Sequence, residues 1–356
     1  MVDGRAEEPN SGTDEIPVEM ADRIRGRGGN ATIYDIAELA KVNPSTVSRA
    51  LSKPGRISAK TEARIRDAAA QLNFRINPIA RALYTGRSRT FALVVADITN
   101  PVVFGIVRGA EQEAAAAGYT LVIAESQESG ETEAETVERL MPTVDGIVLA
   151  TTRLGDESIR SIAARRPVVL INRAVAGIDS ILPDVDRGVK DLMDHLYGLG
   201  HRSVVYLAGP ETSWVSARRW EKLLETSESL GVALVEIGPN PPTIQGGRDA
   251  LRRVLAARPT AVIAFNDLIA IGLMQGAAAR GVGIPDELSV AGFDDIFGSE
   301  LITPSLTTVR SELETAGRRS VRNLLARTEG EERVADPALL ATKLIVREST
   351  GPRREA

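Results

Sequence analysis

At 356 residues the chain exceeds one ordinary compact core and suits a small module joined to a larger one. Its 43% hydrophobic and 26% charged residues are those of a folded soluble protein, its net charge is −5, and no apolar run approaches the roughly 20 residues of a membrane-spanning helix. Without cysteine, and with only His195 and His201, the chain has no disulfide, thiolate or iron-sulfur chemistry and is poorly supplied for a zinc site, so no cofactor or metal is expected.

Residues 1–30 are rich in Glu, Asp, Gly and Pro and lack the apolar core of a secretory signal. They read as a disordered leader, with the cytoplasm as the expected location. Residues 31–90 then carry eleven basic against four acidic residues, a net +7 that leaves −12 on the rest of the chain. A basic block on an acidic body is the charge pattern of a nucleic-acid module attached to a regulatory or catalytic one.

Thr32 and Asp35 have capping-box spacing, and Ile33, Ile36, Ala37 and Ala40 fall on one face of a helix over about 33–40. Asn43 is a favoured N-cap, and Pro44 suits the first position of a second helix, where its missing N–H is not needed. That helix runs through Val47 and Leu51 to Lys53-Pro54-Gly55. Ser58 caps a third, whose Ala59, Ile65, Ala69 and Leu72 are expected to face the first two. Two helices joined by a short turn and braced by a third make a helix-turn-helix unit. The second helix would present Pro44, Ser45 and Arg49 to base edges, with Arg49 placed to read a guanine, while Thr32, Asn43, Ser48, Arg56 and Lys60 suit phosphates. The stretch from Asn77 to Tyr84 is helical in pattern but too short to be stable alone.

From Phe91 onward apolar runs alternate with helical patterns: FALVVAD, 102–117, YTLVIAE, 131–141, VDGIVLA and PVVLIN. A second set follows: 185–199, SVVYLAG, 216–230, ALVEIG, 246–257, AVIAFN, 267–280 and LSVAGFDD. This predicts parallel sheets in two Rossmann-like lobes with a cleft between them. Ligands of such sheets bind beyond the strand carboxyl ends, here Asp97 and Asn100, Asn172 and Arg173, Asn266 and Asp267, and Asp294 and Asp295. A cleft of Asp, Asn and Arg with few aromatics suits a small, neutral, hydroxyl-rich solute. Asn266 and Asp267 also have a reading as no more than a helix cap, whereas Asp295 reads as a cap or ion-pair partner before a ligand contact, and His201 as a structural hydrogen bond.

The stretch 32–90, with TVSR, ISAKT, LNF and N-P-x-A-R-x-L in order, resembles the DNA-binding headpiece of the lactose-repressor (LacI/GalR) family of bacterial regulators. DITNP, VDGIVL, LINR, GHR, FND, GFDD and PSLTTVR resemble the effector domain of the same family and periplasmic sugar-binding proteins. The resemblance implies an all-α headpiece plus an α/β periplasmic-binding-protein-like domain. It divides the chain into a leader (1–30), the helix-turn-helix domain (31–76), a hinge helix and linker (77–90), the effector and dimerisation domain (91–349) and a polar tail (350–356). It adds DNA contacts at Thr46, Asn77, Ala80, Arg81 and Leu83, with Leu83 wedged into the minor groove of a pseudo-palindromic operator as two hinge segments pair. It assigns effector contacts to Asp97, Asn100, Phe104, Asn172, Arg219, Asn266 and Asp294. Lys41 and Lys222 stand where the family usually has Gly, Asn43-Pro44 replaces a Ser plus polar residue, and Asn172 replaces a frequent Asp.

The expectation is therefore a homodimeric repressor, not an enzyme, whose operator binding is set by a small effector, a sugar or sugar derivative, in the inter-lobe cleft. The dimer face is expected on Val103, Ile106, Val107 and Ala110 and on corresponding apolar positions in the C-terminal lobe, with no tetramerising coiled coil after Val346. A purine-type corepressor shares the scaffold. A transporter's solute-binding protein would need an export signal and no headpiece. A hydrolase or kinase would need the nucleophile elbow or phosphate loop that is missing here.

Overall fold

A computed structural model describes residues 16–52, 55–74, 86–331 and 337–354. The chain divides into two compact units between Gly86 and Arg87. The expected hinge residues Asn77, Ala80, Arg81 and Leu83 lie outside the described residues.

The first unit holds α1 (Val18–Gly26), α2 (Ile33–Leu39), α3 (Pro44–Ser52) and α4 (Ala59–Gln71). Asp35 accepts the Thr32 backbone N–H and the Thr32 hydroxyl, both at 2.7 Å, so the capping box forms as its spacing predicts. Ser58 caps α4 by accepting the Thr61 N–H at 3.3 Å. Ile36, Ala37, Val47, Ile65 and Leu72 form the core, but Ala59 is exposed, because it sits in the first turn of α4, beyond the reach of α2 and α3.

The leader requires a correction. Residues 16–30 are ordered, and α1 inserts Met20, 2% exposed, into the core beside Ile36 and Ala37. One buried thioether and the flanking Ile16 and Ile24 give a polar segment enough apolar contact to dock. Gly28 and Gly29, at φ 80° and 82°, turn the chain back toward α2 in a conformation open to glycine.

The second unit holds two parallel α/β lobes. In the first are β1 (Thr90–Val95), α5 (Val102–Ala116), β2 (Thr120–Glu125), α6 (Gly130–Leu140), β3 (Gly146–Ala150), α7 (Asp156–Ala163), β4 (Val168–Ile171) and β5 (Asp179–Pro183). In the second are α8 (Val185–Gly198), β6 (Ser203–Leu207), α9 (Trp214–Leu230), β7 (Ala233–Ile237), α10 (Ile244–Ala257), β8 (Ala261–Ala264), α11 (Asp267–Ala278), β9 (Ser289–Asp294), α12 (Gly298–Leu301) and β10 (Thr307–Ser311). The chain then returns to the first lobe with α13 (Leu313–Thr328) and β11 (Ala338–Leu340), and closes the second with β12 (Thr342–Ile345). The sheet orders are β11-β5-β4-β3-β1-β2 and β12-β10-β9-β8-β6-β7, parallel except for β12 against β10. Leu93 lies between Ile123 and Val148 in one sheet, and Tyr206 between Glu236 and Ile263 in the other. Buried on both faces, the central strands are near-continuous apolar runs.

The return helix covers part of the expected dimer face. Ile106 and Ala110 are buried against α13 of the same chain, Val103 is buried at the edge of the cleft between the lobes, and Val107 is half-buried on that core. The approach is close enough that a Cβ on Gly109 would lie 2.0 Å from the Glu314 carbonyl oxygen, and one on Gly317 would lie 2.0 Å from that of Ile106. The polar tail is also packed. Ser349 and Gly351 are buried, His195 Nε2 lies 2.9 Å from the Thr350 hydroxyl, and His201 Nε2 lies 3.1 Å from the Gly351 carbonyl. Burial lowers the pKa of both histidines.

Candidate functional site

In the first unit the turn between α2 and α3 puts Lys41 at φ 52°, the left-handed backbone that glycine adopts without strain. Arg64 of α4 steadies this turn by donating to the Ala40 and Lys41 carbonyls, a role with no signal in the local sequence. The Asn43 carbonyl accepts the Thr46 and Val47 N–H groups at 2.8 and 3.2 Å, starting α3. Ser45 and Arg49 are exposed on α3, as are Asn43 before it and Arg56 and Lys60 beyond it. Pro44, Thr46, Ser48 and Thr32 are half-buried. The described candidate DNA contacts thus all lie in the first unit, and none of them is fully buried. Tyr34, not anticipated from sequence, is 67% exposed and lines a shallow groove with Glu38, Lys41, Asn43 and Pro44 at the entrance to α3. Its place off the Ile33, Ile36, Ala37 and Ala40 face of the first helix is the signal that the sequence carries.

Asp35 organises the same end of α2. Burial would raise its pKa, but the two Thr32 hydrogen bonds and the Arg27 guanidinium bring it down to about 2. Arg27 Nη2 meets both carboxylate oxygens at 2.8 and 2.9 Å.

In the second unit a cleft lies between the lobes, where the carboxyl ends of their strands face each other. Asp97 and Asn100 follow β1, Glu128 follows β2, Thr151 and Arg153 follow β3, and Asn172 follows β4. Phe265 and Asn266 follow β8, Asp294 ends β9, and Arg219 comes from α9. Six of the seven expected effector residues therefore line one cavity. Phe104 does not: it is 55% exposed on α5 and absent from the lining. Its neighbours Val102, Val103 and Ile106 do line the cavity, so Phe104 lies on a different face of the same turn.

The strand ends are bent to aim inward. Glu128, Thr151 and Asn172 have φ of 59°, 58° and 61°, and Asp294 has φ 110°. Asn tolerates this region, but β-branched Thr does not adopt it freely, so the fold holds strain where the cleft is lined.

Arg219 is 7% exposed and stacks over Phe293, its guanidinium carbon 4.0 Å from the ring centroid. It donates to the Phe265 carbonyl, its Nη2 lies 3.6 Å from Asp294 Oδ1, and its buried Nε has no partner. Burial pushes the Asp294 carboxyl up to about 6, with Arg219 acting in the opposite direction. Behind it Asp267 is fully buried, accepting the Ile296 N–H at 3.1 Å and the Ser299 and Thr308 hydroxyls at 2.6 Å. Burial and neighbouring Asp294 raise Asp267 to about 8.

Several lining residues also have structural work. Asn266 Oδ1 accepts the Ile269 N–H at 2.9 Å and caps α11, while Nδ2 donates to the Pro242 carbonyl at 3.1 Å. Asp97 accepts the Thr99 N–H at 2.8 Å, and Asn100 that of Val102 at 3.2 Å. Asp295 pairs with Arg347 at 2.7 Å instead of lining the cleft. Sequence reasoning missed Glu128 and Arg153, joined through Arg153 Nε at 2.7 Å. The strand-end rule applied to β2 and β3 points to both.

The family model for bacterial regulatory proteins of the lacI family matches residues 32–77, and that for a periplasmic binding protein-like domain matches 193–350. The HTH-type transcriptional regulator DegA of Bacillus subtilis (strain 168) is 30% identical over 331 residues, covering 90% of this chain and 98% of that protein. The chain belongs to the lacI family of bacterial regulatory proteins. The ribose operon repressor of Halalkalibacterium halodurans, 31% identical over 323 residues, covers 90% of this lacI-family chain and 97% of its own. The lac repressor dimer bound to operator and the anti-inducer ONPF superposes with a TM-score of 0.81 at 26% identity, covering 90% and 99% of the two chains. A lacI-family regulator from Enterococcus faecium with bound ribose gives 0.66 at 28%, covering 74% and 100%. Like its relatives, this lacI-family chain is a DNA-binding transcriptional regulator and not an enzyme. Among the described residues no helix is long and apolar enough to cross a membrane.

Proposed function

We propose that the chain is a homodimeric repressor of a pseudo-palindromic operator whose affinity is set by a sugar or sugar derivative in the inter-lobe cleft. The observation that carries this reading is Arg219, buried at the junction of the lobes with its Nε unpartnered and Asp294 beside it. An unfilled buried N–H costs about 1–3 kcal/mol, which a ligand hydroxyl recovers by accepting from it. The carboxylate and amide groups of Asp97, Asn100 and Asn172 answer further hydroxyls from the opposite wall. The lobes are joined by short crossings at 183–185, 311–313 and 340–342, so closing on a ligand changes their mutual angle. The ligand acts as an inducer, releasing operator by a reciprocal coupling of about 1–3 kcal/mol. The dimer surface lies outside Val103, Ile106 and Ala110, which are already buried within the chain.

On the DNA side, Pro44, Ser45 and Arg49 at the start of α3 meet base edges, and Thr32, Asn43, Ser48, Arg56 and Lys60 meet phosphates. Thermal-shift screening of pentoses, hexoses and nucleosides, followed by operator binding with each hit, tests this reading. A ligand that binds equally well to Arg219→Met, or operator binding that ignores every ligand found, overturns the cleft assignment.

A further inference from the structure

The helix Val18–Gly26 lies before the lacI-family match, which begins at residue 32. It is nevertheless built into the DNA-binding unit through Met20 and a lattice of charges. Arg23 Nη2 lies 2.5 Å from Glu38 Oε2 and 3.3 Å from Asp35 Oδ1, while Arg27 holds Asp35 from the other side. The two carboxylates differ in kind. Asp35 is buried and already satisfied by Thr32, whereas Glu38 is exposed and lines the groove with Tyr34, Lys41, Asn43 and Pro44, where α3 begins. An unpaired carboxylate there would face the phosphates that the neighbouring residues are placed to meet.

We propose that Arg23 is a positioning residue of the DNA interface, which cancels the Glu38 charge at the groove mouth so that the amino-terminal helix sets affinity for any duplex. This rests on the reading of the first unit as the DNA-binding element. The pair is solvent-exposed and contributes little to folding. Its effect is on the field at the interface, where each charge is felt by a polyanion and is sequence-independent. The class of partner is the duplex backbone, not a particular operator.

The test uses the full chain and a short labelled duplex of random sequence, followed by anisotropy between about 50 and 200 mM salt. Arg23→Ala should weaken binding roughly fivefold at the lower salt, with a smaller loss at the higher. Glu38→Gln, which removes a charge without removing an arginine, should bind at least as tightly as the parent. The double variant, which lacks both charges and so restores the local sum, should bind within about twofold of the parent. A melting curve for each variant reports folding separately. Unchanged binding in Arg23→Ala, or a full loss that persists in the double variant, overturns the proposal. A parent chain that ignores duplex DNA overturns the DNA-binding reading as well, whereas a parent that binds while the variants behave alike sinks only this inference.

Discussion

Replacing Asp294 with Asn separates the cost of the cleft from its use. Asn is chosen because it keeps the side-chain shape and tolerates positive φ, so the backbone at 110° is strained no further. The Asp294 carboxyl is pushed up to about 6 from the usual 3.8 by burial, against the pull of Arg219. A raised acid pKa means that the folded state binds the proton more tightly than the unfolded one. The group then disfavours folding fully above pH 6, and the penalty vanishes as pH falls toward 3.8. The shift corresponds to at most about 3 kcal/mol at pH 7.5. Removing the charge forfeits the 3.6 Å contact with Arg219, which keeps its Phe293 stack and its bond to the Phe265 carbonyl. The net expectation is a gain of about 1–2 kcal/mol, seen as an upward shift of roughly 3–6 °C in melting temperature at pH 7.5. The shift should shrink as pH is lowered toward 5, where Asp294 is protonated in the parent. Ligand response should be lost in the same variant, a trade of stability against function. Differential scanning fluorimetry between pH 5 and 8 decides the matter. A variant less stable than the parent at pH 7.5, or a shift that does not depend on pH, refutes the reasoning.

Arg49→Ala should weaken operator binding by about 1–3 kcal/mol while leaving random duplex within a few-fold, measured by competition anisotropy. Equal losses on both would make Arg49 a phosphate contact. Asp35→Asn should destabilise the first unit by about 2 kcal/mol above pH 4, because a depressed carboxyl stabilises the fold above its unfolded pKa and loses that as pH falls toward 2. A chemical melt of the unit at pH 7 and pH 3 checks that the difference fades on acidification. Gly317→Ala should destabilise the second unit by more than about 3 kcal/mol, since the added carbon meets the Ile106 carbonyl oxygen at 2.0 Å and two helix backbones must separate. A normal denaturant midpoint would show that the crossing yields freely.

Much of the site was legible before any coordinates. The Thr32 to Asp35 box, Pro44 at a helix start and the Ser58 cap are local chemistry, and they form where their spacing predicts. The cleft residues Asp97, Asn172, Asn266 and Asp294 were found because parallel strands point their carboxyl ends the same way. Phe104 lies off the cleft because a motif does not say which face of the helix a residue takes, and Glu128 and Arg153 are unremarkable until β2 and β3 flank β1.

Periodicity, caps and the placement of charge are properties of neighbours along the chain, so the sequence alone determined that a basic helical unit precedes two parallel α/β lobes. What only tertiary structure decided are the pairings between distant residues. Met20 turns a polar leader into a fourth helix, and Gly317 brings α13 back over Ile106 to cover part of the face expected for a partner. Thr350 and Gly351 close on His195 and His201, so a polar tail becomes part of a lobe. In each case a few buried contacts outweigh a weak local preference, and no window of sequence contains both sides of such a contact.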